Sequence, residues 1–287
     1  MTAVSGTART TTFETYASYD ELVAHVRAGG LGPDPATQRI AVAFTTRQAV
    51  RHCGRGTGYR NEVLSLRLAG AVGSCAVEPG TLPDRVVEEC VGADVAHLLE
   101  HPLLPVRVAA LDAYLMHLAA HTPRNGARPV PLPAGTSLEK SRARAEAVVA
   151  LLDLPPGATV LVVGVVNSLL EGLRSRGLSY VPCDLKGGLT EWGEPVVTDA
   201  PTEAGRCDAL LVSGMTLGND TFEPLRRHAL AHDKQLVAFA QTGSAVLPRF
   251  LGHGVSAVCA EPYPFFWLDG GPGAVHRYGG PGPKGGR

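Results

Sequence analysis

The sequence is poor in the features that announce a function outright. Its 287 residues hold six cysteines, at 53, 75, 90, 183, 207 and 259, with no CxxC pair among them. That spacing excludes a zinc ribbon or a disulfide scaffold and points to a reduced, cytoplasmic protein. Neither sign of charge is in excess, with 26 basic residues against 27 acidic ones. No basic face therefore advertises nucleic acid or an anionic membrane surface. No apolar run approaches the roughly 18 residues of a membrane helix, and the N-terminus lacks the basic segment and apolar core of a signal peptide. Walker loop, Gly-x-Ser-x-Gly elbow and kinase signature are all missing.

What is present is a hydrophobic fraction of 45%, enough for a full core, with 34 glycines and 22 prolines that follow no period. A chain of this length predicts one large domain or two ordinary ones. Residues 1–12, rich in Thr, Ala and Ser, read as a disordered tail. Residues 13–135 read as a smaller α+β domain. Within it Ser18–Val26 predicts a capped helix, Arg39–Phe44 a strand, Asn61–Leu68 its alternating antiparallel neighbour, and Gly70–Cys75 a small-residue turn. A helical block ends in Leu104–Ala120, whose sequence is apolar nearly all round and predicts a buried helix. Thr122–Ala134, with four prolines, reads as a linker.

Residues 136–270 change rhythm. A charged helix over Ser137–Leu152, opened by a cap at Ser137, leads into buried strands at Thr159–Gly164, Ser179–Asp184, Asp208–Gly214, Gln235–Ala240 and Val255–Ala260. A short strand is expected at Val196–Thr198, and helices at Ser168–Gly177, at about Asp220–His232 and at Ala245–Gly252. This alternation predicts a Rossmann-like, mostly parallel sheet with right-handed crossovers. Residues 271–287 read as a flexible Gly/Pro tail.

The apolar run Val160–Val163 stops at Gly164, and Asp184 closes the next strand 20 positions later. A helix leaving such a strand aims its N–H groups into the crevice, and an acid about 20 residues on is where a Rossmann-type sheet holds a ribose. Val165, Val166 and Asn167 stand where further glycines of a GxGxxG turn would sit, so NAD and FAD are disfavoured. S-adenosylmethionine, a nucleoside without a pyrophosphate, suffers less and is the favoured cofactor. The cofactor-binding candidates are Gly164, Val165, Asn167, Ser168 and Asp184. They are joined by the strand-end residues Gly214, Met215 and Thr216, and by Gln241, Thr242 and Gly243. Ordinary turn and cap chemistry accounts for these positions equally well.

Arg51, Arg55 and Arg60 lie among glycines and are the substrate-binding candidates, since guanidinium grips carboxylate or phosphate bidentately. A solvated hairpin loop is the plain alternative. Three histidine pairs, His97/His101, His117/His121 and His228/His232, have the i, i+4 spacing that places two imidazoles on one helix face. None has the further ligands a metal needs, and histidine also suits a helix C-terminus. No metal ligand or catalytic base is assigned.

Several stretches together resemble a bacterial family labelled "putative heavy-metal chelation" domain. They are Leu104–Ala110 running on to Tyr114, Val162-Val163-Gly164 with its helix, the acid closing the second strand, Cys207–Gly214, and Gln241–Ser244 before Leu247-Pro248. The resemblance spans roughly residues 35–265. It implies a Rossmann-like domain behind an enolase N-terminal-like domain, with a ligand cleft between them and a connection to metals. The reading favoured is an enzyme of small-molecule metabolism, an S-adenosylmethionine-using transferase or lyase that works as a homodimer. The alternative is a non-catalytic heavy-metal or metallophore-binding protein; a third is a regulatory or scaffold protein with a vestigial cleft. Nucleic acid and membrane are not expected partners.

Overall fold

The computed structural model describes residues 13–280 except 57, 119–120 and 264–269. The expected tail over 1–12 therefore lies outside the described residues. Helix α1 (Tyr19–Arg27) starts where the sequence places it, because the Ser18 side chain accepts a hydrogen bond from Glu21 N and so satisfies one of the orphan donors of the first turn. Strands β1 (Ile40–Val50), β2 (Tyr59–Leu68) and β3 (Ala71–Val77) form an antiparallel meander in the order β1-β2-β3. Most of the small-residue stretch expected as a turn is strand β3. Its residues are small because a helix lies on them: a Cβ added at Gly73 would sit 1.8 Å from Ala113 N. Helices α2 (Val86–Cys90), α3 (Val95–Leu98) and α4 (Leu104–Leu118) follow. Residues 108–115 of α4 are buried without interruption, as its all-round apolar sequence requires.

The second sheet has seven strands. It contains β4 (Arg128–Leu132), β5 (Thr159–Val163), β6 (Ser179–Cys183), β7 (Ala209–Ser213), β8 (Gln235–Ala240), β9 (Ala257–Ala260) and β10 (Gly273–Gly279), in the order β4-β10-β9-β8-β7-β5-β6. The five strands β5 to β9 are parallel. Helices α5 (Ser137–Val149), α6 (Asn167–Ser175), α7 (Ala200–Ala204), α8 (Met215–Gly218) and α9 (Phe222–Ala231) connect and cover them. Helix α5 is capped one residue earlier than expected, by Thr136 in a reciprocal capping box with Glu139. Val197 makes only an isolated bridge to Cys183 rather than a strand, and Ala245–Gly252 holds a short 3₁₀ turn over Leu247–Phe250.

Two strands arise where the sequence suggested none. β4 lies inside the stretch that reads as a linker, and β10 inside the stretch that reads as a mobile tail; both pair antiparallel. Pro129 and Pro131 alternate along β4, so both missing N–H groups face one side. That side is the outer edge of the sheet, where no ladder bond is needed. Proline at an edge also discourages pairing with another chain. In β10 the alternation is flanked by Gly and Pro, which mask it.

One face of the large sheet is covered by α5 and α6 around Leu132, Val149, Val162, Leu170, Leu173 and Leu211. The other face shares a continuous core with the small unit, from Leu64, Leu111 and Tyr114 through to Leu161, Val212, Leu236 and Val258. The two units are thus welded by burial rather than merely tethered. No helix among the described residues is long and apolar enough to cross a membrane.

Candidate functional site

Counted from β5, the parallel strands run 2-1-3-4-5 across the sheet from the β6 edge. In open α/β sheets ligands sit outside the carboxyl ends of the strands at the point where the order reverses. Here that point lies between β5 and β7, bounded by Gly164 and Ser213. Gly164 has φ +89, and a Cβ on it would come within 2.6 Å of the Ser213 Cβ. Only glycine fits there.

Asp184 is brought to this turn. Its carboxylate accepts a hydrogen bond from Lys186 N at 3.1 Å and makes a long contact of 3.5 Å to Val165 N. The first bond is local turn chemistry; the second ties the end of β6 to the turn after β5. Asn167 opens α6, and its Oδ1 takes a long contact of 3.5 Å from Glu191 N in the loop after β6. These four positions, Gly164, Val165, Asn167 and Asp184, share one rim.

The remaining strand-end positions are engaged elsewhere. Ser168 is buried, and its hydroxyl accepts from Ser141 of α5. Gly214 is pressed on the Thr242 carbonyl, where an added Cβ would meet the oxygen at 2.3 Å. The Thr216 hydroxyl donates to Ser213 O. Thr242 is buried, and Gly243 N donates to Ser74 O of β3. Met215 packs with Val63, Ala76 and Tyr263 and borders a cavity of about 270 Å³ whose walls include Leu82, Leu103 and Asn219. The Gln241 amide donates to Glu261, which Arg144 grips with two hydrogen bonds of 2.6 and 2.8 Å.

The β1–β2 hairpin closes over the rim from the small unit. Arg55, only 11% exposed, pairs with Glu171 of α6 at 2.9 Å and with Glu191. Arg142 holds the other oxygen of Glu171. Arg51 and Arg60 stay exposed on the flanks of the hairpin. Of the three arginines named from sequence, one therefore clamps protein carboxylates at the crevice and two face solvent.

Sequence reasoning missed the group that joins the units. Asp112 of α4 is 2% exposed and accepts from Ser74 N of β3 and from Ala245 N beyond β8, both at 2.8 Å. Burial pushes its carboxyl up to about 7, against the pull of those backbone donors. A single acid inside the apolar run 106–115 was the available signal. Glu261, Glu171 and Glu191 carried no comparable signal, because their arginine partners are at least 29 residues away in the chain.

The histidine pairs make no metal centre. His121 uses both ring nitrogens, on Tyr278 and Ser244, and burial beside His276 drives its pKa down to about 3. His228 and His232 stack at 4.2 Å, and His232 Nδ1 contacts His228 O. His97 is exposed. Among the described residues no group of three His, Cys, Asp or Glu side chains is placed to hold a metal ion.

A mostly parallel α/β sheet of Rossmann type, with a small antiparallel unit laid over the carboxyl ends of its strands, is the class this geometry defines. Residues 147–260 match the model of a family, DUF364, described as "Putative heavy-metal chelation". That stretch is the parallel part of the sheet. Two solved proteins of that family, both of unknown function, have the same fold. The one from Desulfitobacterium hafniense DCB-2 is 14% identical with a TM-score of 0.51, covering 84% of this chain and 83% of its own. The one from Pyrococcus horikoshii is 12% identical with a TM-score of 0.50, covering 83% and 86%. No curated protein matches the chain.

Proposed function

We propose that this protein binds, without catalysis, a small organic molecule that carries its own metal-coordinating groups, a metallophore or its metal complex, at the mouth of the β5/β7 crevice. The observation that carries this reading is the apolar rim. Of the seven large apolar side chains exposed among the described residues, five are Tyr59, Val166, Leu185, Leu189 and Trp192. All five belong to the hairpin, the β5–α6 turn or the loop after β6, the three segments around the mouth, with the Trp192 ring stacked on the Arg174 guanidinium at 4.1 Å. Clustered exposed apolar groups mark a binding surface, and a few convergent polar groups among them give it orientation; here Asp184, Asn167 and the Gly164 turn supply them.

The donor chemistry supports the same reading. A heavy metal held by the protein itself needs three or four converging soft or imidazole donors, and the described side chains offer no such group. A ligand that brings its donors removes that requirement, which agrees with the chelation description of the matching family. The buried thiols are poor nucleophiles, since burial pushes Cys183 and Cys90 up to about 11. The arginines nearest the rim are already matched to carboxylates.

One observation favours a second reading. Asp184 at the Gly164 turn is the arrangement that would hold a ribose, so S-adenosylmethionine remains the rival ligand. Calorimetry and Trp fluorescence with ferric citrate, a ferric catecholate, Zn²⁺ alone and S-adenosylmethionine separate the two. Saturable binding heat from a ferric complex, its affinity weakened at least tenfold by Leu189→Ser and by Trp192→Ala and no heat appearing with Zn²⁺, is expected. Heat from S-adenosylmethionine alone, lost in Asp184→Ala, transfers the conclusion to the rival; stoichiometric Zn²⁺ binding overturns the proposal.

A further inference from the structure

Arg128 of β4 and Arg277 of β10 stand directly opposite each other in the antiparallel ladder. Opposed residues present their side chains on one face with Cβ atoms about 5 Å apart, and like charges placed so destabilise the sheet. Strand alternation identifies the face, because Val130, Leu132 and Val275 share it and pack into the core beneath α5 and α6. Arg128 donates to the Gly279 carbonyl, while the Nε of Arg277 is buried with no hydrogen-bond partner; neither side chain is in an ion pair among the described residues.

Both line a groove of about 870 Å³ that also includes Arg142, Arg176, Glu146 and Glu171. Four guanidiniums face two carboxylates. Arg142 is matched to Glu171 by two hydrogen bonds. Arg176 donates to the carbonyls of Val149 and Leu152 at the end of α5. With Arg142 matched to Glu171, the guanidiniums of Arg128, Arg176 and Arg277 stand against the single carboxylate of Glu146, a net excess of two positive charges, and of the three only Arg128 and Arg277 lie side by side in the ladder.

The geometry points to a second ligand site in this groove, a seat for a phosphate-bearing small molecule bridged by Arg128 and Arg277. A phosphate monoester carries nearly two negative charges near neutral pH, which matches two arginines, whereas one carboxylate would neutralise only one. Each guanidinium can present a planar fork to such a group. The volume suits a molecule larger than the phosphate itself. This inference does not rest on the crevice reading, since Arg128 and Arg277 lie on β4 and β10, away from the Gly164–Asp184 rim.

The test is thermal unfolding and calorimetry of the full chain with inorganic phosphate, glycerol 3-phosphate and malonate at matched ionic strength. The wild type should gain Tm saturably with glycerol 3-phosphate, and Arg277→Gln should bind it at least tenfold more weakly. Without ligand, Arg277→Gln should melt at or above the wild-type temperature, because a like-charge contact is relieved; a purely structural arginine would melt lower. Should that variant not fold, Arg277→Lys keeps the charge while removing the fork, and should still weaken binding. No shift in the wild type, binding by the Arg128→Gln and Arg277→Gln variants as tight as that of the wild type, or an equal response to malonate would overturn the assignment.

Discussion

Replacing Asp112 by Asn probes the joint between the two units. Oδ2 accepts from Ser74 N in the small unit and Oδ1 from Ala245 N in the large one. Asparagine keeps the shape and one acceptor, but turns its amide nitrogen toward the other N–H. That buried donor loses its partner, at a cost of about 1–3 kcal/mol. Against this stands the charge. Burial raises the Asp112 carboxyl from 3.8 to about 7, so between those values the unfolded chain has released a proton that the folded one keeps. Stability linked to this group is fully present below pH 3.8 and falls as pH rises to about 7, by about 4 kcal/mol in all at 1.36 kcal/mol per unit. The variant lacks this slope. At pH 4 the wild type should be the more stable protein, and by pH 8 the gap should have closed or reversed. His121 gives the opposite slope, since its depressed pKa makes stability fall as pH drops from 6.5 toward about 3; it acts on both proteins and cancels in the difference. Urea unfolding of both proteins at pH 4, 6 and 8 measures the gap. A gap that stays constant with pH would refute the reasoning, because the carboxyl would then titrate alike in both states.

Gly164→Ala should cost about 2–4 kcal/mol, from the left-handed φ and the collision with Ser213, and thermal melting would show a loss under 1 kcal/mol to be inconsistent with that packing. Arg55→Ala leaves Glu191 with a half-buried charge and frees the hairpin, so trypsin should cut faster at the exposed Arg51 and Arg60. A double-mutant cycle of Arg55→Ala with Glu191→Gln should return a coupling of about 1 kcal/mol or more, and a value near zero would deny the clamp. The His121 imidazole should stay neutral in the folded protein, its NMR signals showing no titration from pH 8 down to 5; a midpoint near 6.5 would contradict its burial against Tyr278 and His276.

Much of the fold was written in local pattern. The helix at α1, the alternation of β2, the all-round apolar α4 and the strand-helix rhythm from Thr159 each depend on residues near in sequence, so periodicity exposes them. The Gly164–Asp184 pairing was legible for the same reason, being one strand, one helix and one strand long. What escaped was long-range. β4 and β10 look like linker and tail because Pro and Gly surround them, and only their pairing with distant strands makes them part of the sheet. The clamp of Arg55 on Glu171 and Glu191 spans over a hundred residues, and Asp112 found its two donors on different units.

The sequence by itself determined that a parallel α/β sheet would form and where its first crevice turn would lie, because strand length, helix period and a glycine's positive φ are properties of short segments. The tertiary structure decided which side chains that crevice keeps open. Ser168, Thr216 and Thr242 are turned into packing partners and Val166 and Leu185 are left exposed, because burial and charge compensation depend on what another part of the chain brings alongside.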